Sequence, residues 1–189
     1  LLDAAEELLR ETSLRELTIP RITDRAGMAR SSFYVYFNDV ADLIVRLGAK
    51  LQKDLSDATD RWVLGSGDIV ADARAAIEGV VGVFREHGWV LRAMSDAASY
   101  DERVEKMYLG IVNGFIDVTE HHIRTEQEAG RIGVLDPRAT ASALIWMNER
   151  FLSMALGSGE QADVPVLVDT LLGIWVRALY RIEPFPPTN

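Results

Sequence analysis

Gly27 divides the stretch 18–37, TIPRITDRAGMARSSFYVYF, into two short helical segments, and that division constrains the fold more than any other feature of the chain. Pro20 suits a first helical turn, where its missing N–H leaves no hydrogen bond unmade. Ile22 and Ala26 fall one turn apart and face inward. A glycine at 27 supplies the positive φ that ends one helix before the next begins about a right angle away. Met28 and Phe33 are expected to plug the angle between the helices, with Arg30, Ser31, Ser32, Tyr34 and Tyr36 left largely outside. This is the pattern of a helix-turn-helix.

A short surface helix carrying two outward tyrosines needs a physical reason. Docked into a major groove, its first turn presents Arg30 to a base edge or a phosphate, while Ser32, Tyr34 and Tyr36 offer hydroxyls to phosphates. Thr18 and Ser31 complete the candidate DNA-contacting set. Spacing alone leaves another reading open, an ordinary helical corner with aromatic side chains packed in it, because the same geometry occurs in proteins that never touch DNA.

A net charge of −9 argues against a nucleic-acid partner until it is divided along the chain. Residues 10–37 hold five arginines against three acids, whereas residues 51–189 hold 13 Lys and Arg against 21 Asp and Glu. A locally basic face on an acidic body still attracts phosphate, and the acidic body discourages nonspecific docking elsewhere. The basic excess is small, and charge alone would not suggest DNA.

At 189 residues, 48% of them apolar, the chain is long enough to bury a substantial core. No apolar run approaches the roughly 20 residues that a membrane-spanning helix needs. Without cysteine there is no disulfide, thiolate metal site or thiol switch, which is compatible with a cytoplasmic protein. His87, His121 and His122 are too few and too poorly spaced for a metal site, so neither metal nor cofactor is expected. Leu1 lies inside an amphipathic helix already under way (Leu2, Ala5, Leu8, Leu9), so residues upstream of it are expected.

Beyond Phe37 the pattern is helical almost throughout, with glycine and proline marking loops. Ile44, Leu47, Leu51, Leu55, Ala58 and Trp62 form one stripe on a connecting helix that ends at Gly65, Ser66 and Gly67. Ile69, Ala73, Ile77, Val80, Val81 and Phe84 form the next, with a break expected at His87 and Gly88 and a separate short helix over 89–98. Val104, Tyr108, Ile111, Val112, Phe115, Thr119 and His122 trace a long helix reaching about Gly130. The segments 139–156 and 164–180 are apolar around most of their circumference and must be covered on two sides, by the core and by a partner chain. Full burial within a monomer remains the alternative. The tail 184–187 is expected to end the last helix. Within 139–156, Asn148, Glu149 and Arg150 interrupt an apolar run; Glu149 and Arg150 are expected to form structural ion pairs.

Thr18, Ile19, Ile22, Ala26, Gly27, Tyr34, Tyr36 and Phe37 stand where the TetR family of transcriptional repressors has its helix-turn-helix pattern. The chain resembles that family weakly over its whole length, and residues 146–176, WMNERFLSMALGSGEQADVPVLVDTLLGIWV, look like its EthR-like branch. The resemblance implies an all-α fold of about nine helices. An N-terminal three-helix helix-turn-helix DNA-binding domain would span 1–45 and a helical ligand-binding and dimerisation domain 46–189. It implies a dimer through the last two helices, four-helix at its interface, on a near-palindromic double-stranded DNA operator. It further implies that Asn148 offers its amide to a hydrophobic effector carrying a carbonyl or similar acceptor. The effector's channel would be walled by Ile77, Val80, Phe84, Tyr108, Val112, Phe115, Ile145 and Trp175. These walls hold four aromatics, and most also lie on the inward stripes above.

Two departures bear on the expected DNA contact. Many family members cap the recognition helix with serine, whereas this chain has Ala29, at a cost of about 1 kcal/mol. Many start the fourth helix with a phosphate-touching lysine, where this chain has Val40. Asp39 is expected to cap that helix, with Asp42 three residues on, but neither replaces a cation. A weaker phosphate grip is therefore expected, or a larger share for Arg30 and an N-terminal arm.

The chain lacks a Gly-x-Ser-x-Gly elbow, a phosphate-binding glycine loop and metal-ligand spacing, so no enzymatic activity is expected. The expected function is a dimeric regulator, a repressor released by a hydrophobic small molecule. The alternative is an apolar-ligand carrier or scaffold that binds no DNA, and sequence does not separate repressor from activator.

Overall fold

The computed structural model describes residues 1–64, 67–156 and 162–180, excepting the side chains of 58–64. Among these residues the chain forms eight α-helices, one 3-10 turn at Leu14–Glu16 and no strand. The helices are α1 Leu2–Glu11, α2 Ile19–Arg25, α3 Arg30–Tyr36, α4 Val40–Leu64, α5 Ile69–Ala98, α6 Glu102–Glu128, α7 Pro137–Leu156 and α8 Val164–Tyr180.

The first three helices assemble around Ile22 and Phe33, both fully buried, with Ala5, Leu8, Leu9 and Leu17 closing the same core. Pro20 occupies the first turn of α2, and Gly27 turns the chain with φ 63°. A non-glycine residue there would adopt the strained left-handed conformation, at about 1 to 2 kcal/mol. Met28 is partly buried beside the turn.

Asp39 caps α4 as expected, its Oδ1 accepting the Asp42 N–H at 2.8 Å. The Asp42 carboxylate in turn accepts from the Asn38 N–H and its side-chain amide. From this capped start α4 runs from the small domain into the body, with Leu43, Ile44, Leu47, Leu51 and Leu55 buried along one stripe. Gly48 lets it come close: a Cβ there would stand 2.5 Å from the Met94 Cε on α5. The side chains of Ala58 and Trp62, the loop residues 65 and 66 and the tail 184–187 lie outside the described residues.

Helix α5 is the centre of the body and packs against α1, α4, α6, α7 and α8. It does not break at His87 and Gly88; one helix of 30 residues continues through both. A mid-helix glycine costs only about 1 kcal/mol relative to alanine. Gly88 is buried, and the apolar stripe resumes beyond it at Val90, Leu91 and Met94, so burial on several sides outweighs the propensity loss. The separate helix expected over 89–98 is the end of α5, and the described helices number eight rather than about nine. Helix α6 stops where Gly130 takes φ 73°.

Helices α7 and α8 bury Leu144, Leu152, Leu171, Leu172 and Val176 in the body. Their other faces expose Trp146, Phe151, Met154, Val166 and Ile174. No helix among the described residues is long and apolar enough to cross a membrane.

Candidate functional site

The first candidate surface is built on α3. Phe33, at 0% exposure, anchors this two-turn helix, edge-on to the Tyr34 ring at 5.7 Å and tilted against Phe37 at 5.4 Å. That anchoring turns the rest of the helix outward: Tyr34, Val35 and Tyr36 are 52%, 76% and 59% exposed. Arg30 and Ser31 are exposed beside them, and Ser32 is half-buried. Thr18 stands exposed at the N-cap of α2 without a capping hydrogen bond from its side chain, which leaves its hydroxyl open to solvent. Ala29 caps α3 with no side-chain bond, as its methyl dictates.

The local basic excess is mostly spent inside the domain. Arg25 grips Glu11 at 2.7 Å and Glu7 at 3.4 Å, and Arg21 reaches Glu16 at 3.5 Å. Arg10 lies over the Trp89 ring at 4.3 Å. The Arg25 hydrogen bond holds the Glu11 carboxyl below its ordinary range. Among the described residues Arg30 has no acid partner, so it is the cation that α3 offers outward.

Two further polar links among the described residues join this small domain to the body, and neither is visible as periodicity. Glu6, buried on α1, is hydrogen-bonded to His87 Nδ1 on α5 and has Lys50 of α4 at 3.8 Å. Arg103, at the start of α6, donates to Asp39 at 3.0 Å and to Asp101 at 2.7 Å. The N-caps of α4 and α6 thus share one guanidinium, and that bond holds the Asp101 carboxyl below its ordinary range.

The other candidate site is a cavity in the body. All nine residues singled out from the sequence line it: Ile77, Val80 and Phe84 from α5, Tyr108, Val112 and Phe115 from α6, Ile145 and Asn148 from α7, and Trp175 from α8. They converge because four helices each turn an inward stripe to the same space. Leu55 of α4 and Glu149 of α7 also line it. Trp175 Nε1 donates to Asn148 Oδ1 at 3.0 Å. The indole N–H needs an acceptor, so it fixes the amide orientation and leaves the Asn148 NH₂ as a donor.

Glu149 and Arg150 do not pair. Glu149 turns inward, 8% exposed, and accepts from Ser153 Oγ at 2.8 Å, while Arg150 is exposed. Burial first, and the Glu149 carboxylate beside it next, push the Tyr108 hydroxyl well above the ordinary phenol value. The expected ion pairs are absent among the described residues: successive helical residues point about 100° apart, one into the body and one into solvent. Glu149 as a cavity residue and Val35 as an exposed residue of α3 were missed from sequence. Glu149 carried only a charge signal, and Val35 has the composition of a core position.

Comparison with known proteins gives concordant results at both ends of the chain. Residues 1–47 match the family described as bacterial regulatory proteins, tetR family, and residues 73–181 match the transcriptional regulator EthR, C-terminal domain. The chain is 28% identical over 185 residues to the HTH-type transcriptional regulator EthR of Mycobacterium tuberculosis (strain CDC 1551 / Oshkosh), covering 95% of this chain and 85% of the relative. It is 27% identical over 187 residues to the EthR of Mycolicibacterium smegmatis, covering 97% and 86%. Among solved structures it is similar to FadR from Bacillus subtilis in complex with stearoyl-CoA, with TM-score 0.77 and 15% identity, covering 94% of this chain and 96% of that one. It is also similar to SmeT, the repressor of the Stenotrophomonas maltophilia multidrug efflux pump SmeDEF, with TM-score 0.75 and 21% identity, covering 100% and 92%. These two likenesses concern the fold alone.

Proposed function

This chain belongs to the TetR family of DNA-binding transcriptional regulators, EthR type, and is not an enzyme; from that premise we infer that it is a cytoplasmic dimeric repressor released from its operator by a hydrophobic small molecule. The observation that carries the inference is the double role of α4. Its start packs into the small domain through Leu43 and Ile44, and one face of its later turns, at Leu55, lines the cavity. A molecule entering the cavity presses on the same helix that carries the DNA-reading module.

The mechanism is a population shift. Thr18, Arg30, Ser31, Ser32, Tyr34 and Tyr36 hold DNA in the binding conformer, with Arg30 as the outward cation. Effector in the cavity favours a conformer with α4 displaced and the two recognition helices of the dimer no longer spaced for successive major grooves. The effector must prefer that conformer, since a ligand with equal affinity for both shifts nothing. The Arg103 link between the N-caps of α4 and α6 transmits the displacement at the far end of the same helix. The two domains, 1–45 and 46–189, are proposed to meet along α4.

Dimerisation is proposed through the outward faces of α7 and α8, where Trp146, Phe151, Met154, Val166 and Ile174 await a cover. The test is a footprint of the full-length protein on the DNA upstream of its own gene at about physiological salt. Protection of a near-palindromic site, lost on adding an apolar cavity ligand, is the expected result. No protection there, nor on any duplex at low salt, would overturn the reading and favour an apolar-ligand carrier.

A further inference from the structure

Resting on the reading of the cavity as an effector site, we propose that Glu149 sets the effector's chemical class: an apolar molecule with a nitrogen-borne hydrogen-bond donor, and not one ending in a carboxylate. The cavity wall is otherwise aliphatic and aromatic, with Thr119, Tyr108 and Asn148 as its further polar members. Into this wall the chain sets a carboxylate that is 8% exposed.

Among the described residues its hydrogen bond is to a hydroxyl, Ser153 Oγ at 2.8 Å, and it joins no salt bridge. A carboxylate offers about four acceptor positions, so one hydroxyl leaves capacity facing the cavity. A buried carboxylate with no cation beside it among the described residues draws an N–H or an ammonium group and repels another carboxylate. The adjacent residue completes the pattern. Asn148 gives its carbonyl to Trp175 and keeps its NH₂ for an incoming acceptor. Donor at 148 and acceptor at 149 together match an amide, whose carbonyl and N–H lie side by side. The acceptor at 149 also receives an amine.

The experiment is calorimetric titration of the full chain at neutral pH with four probes of equal length: octylamine, octanamide, octanoic acid and octanol. Wild-type protein is expected to bind octylamine and octanamide at least about tenfold more tightly than octanoate. In Glu149→Gln the gap should close by about tenfold, through gain of octanoate and loss of octylamine, with octanol unchanged. A purely structural role for Glu149 would shift all four probes together, and that result overturns the proposal. Octanoate binding as tightly as octylamine to the wild type overturns it as well, and this ranking decides the matter even if the variant fails to fold. Octanol binding without discrimination among the other three removes the role of Glu149 and leaves the cavity reading intact. Failure of all four probes to bind removes the cavity reading and the proposal with it.

Discussion

Arg30 and Asn148 lie on different helices of different domains, so their substitutions should separate the two tasks of the protein. Among the described residues Arg30 has no acid partner, and Arg30→Ala should lower operator affinity by about 1 to 3 kcal/mol. Tyr34→Phe deletes a single exposed hydroxyl and should cost about 0.5 to 1.5 kcal/mol, with the ring still seated on Phe33. Both variants should bind cavity probes like wild type. Asn148→Ala should weaken octanamide binding and leave operator binding unchanged. Gel shifts and calorimetry on the three variants check this, and the reverse pattern would mean that the two sites are wrongly assigned. Ala29→Ser supplies the missing cap of α3 and should raise stability by about 1 kcal/mol, read as a higher melting temperature.

Among the elements, the pairing of α6 with α8 carries a pH dependence that can be worked out in sign. His122 Nε2 meets the Tyr180 hydroxyl at 2.7 Å, and burial pushes the imidazole below its ordinary value of 6.5. In the unfolded chain the imidazole takes its proton near 6.5, while the folded state resists protonation until lower pH. As pH falls from about 6.5 through the folded value, the unfolded state therefore binds more protons and stability declines. Denaturant titrations across this range should show that decline in the wild type and a flatter profile in His122→Gln. An identical slope in the two proteins would remove His122 as its source. Helix α5 teaches a related lesson at this scale. Local propensity at Gly88 argued for an end, and contacts on several sides of the helix carried it on.

For the whole molecule, the outward faces of α7 and α8 are proposed to set the state of assembly. Met154 is 66% exposed on α7, and Val166 is 57% exposed on α8. Met154→Glu would bury a charge in the proposed interface without a partner, at several kcal/mol. Sedimentation at micromolar concentration should give a dimer for wild type and a monomer for the variant, with operator affinity falling in parallel. A dimeric Met154→Glu protein would move the interface elsewhere. An effector in the cavity is proposed to act on this assembly through α4, whose start packs into the small domain and whose Leu55 lines the cavity.

The sequence by itself determined the helix-turn-helix, because Pro20, Gly27 and Phe33 act locally: one starts a helix, one supplies a left-handed turn, and one seats the recognition helix. It also determined which stripes face inward, since helical period and burial are two aspects of one pattern, and with the family resemblance it named nine residues that line a single cavity. Only the tertiary structure decided what the charged groups do. Arg21 and Arg25 were counted as a basic face, yet they are neutralised by acids from α1 and the turn before α2. Glu149 was expected in a structural ion pair and stands in the cavity wall, and Glu6 meets His87 from 81 residues away. A charge finds its partner through space, over distances that the period of a helix does not encode, whereas an apolar side chain needs only to face inward.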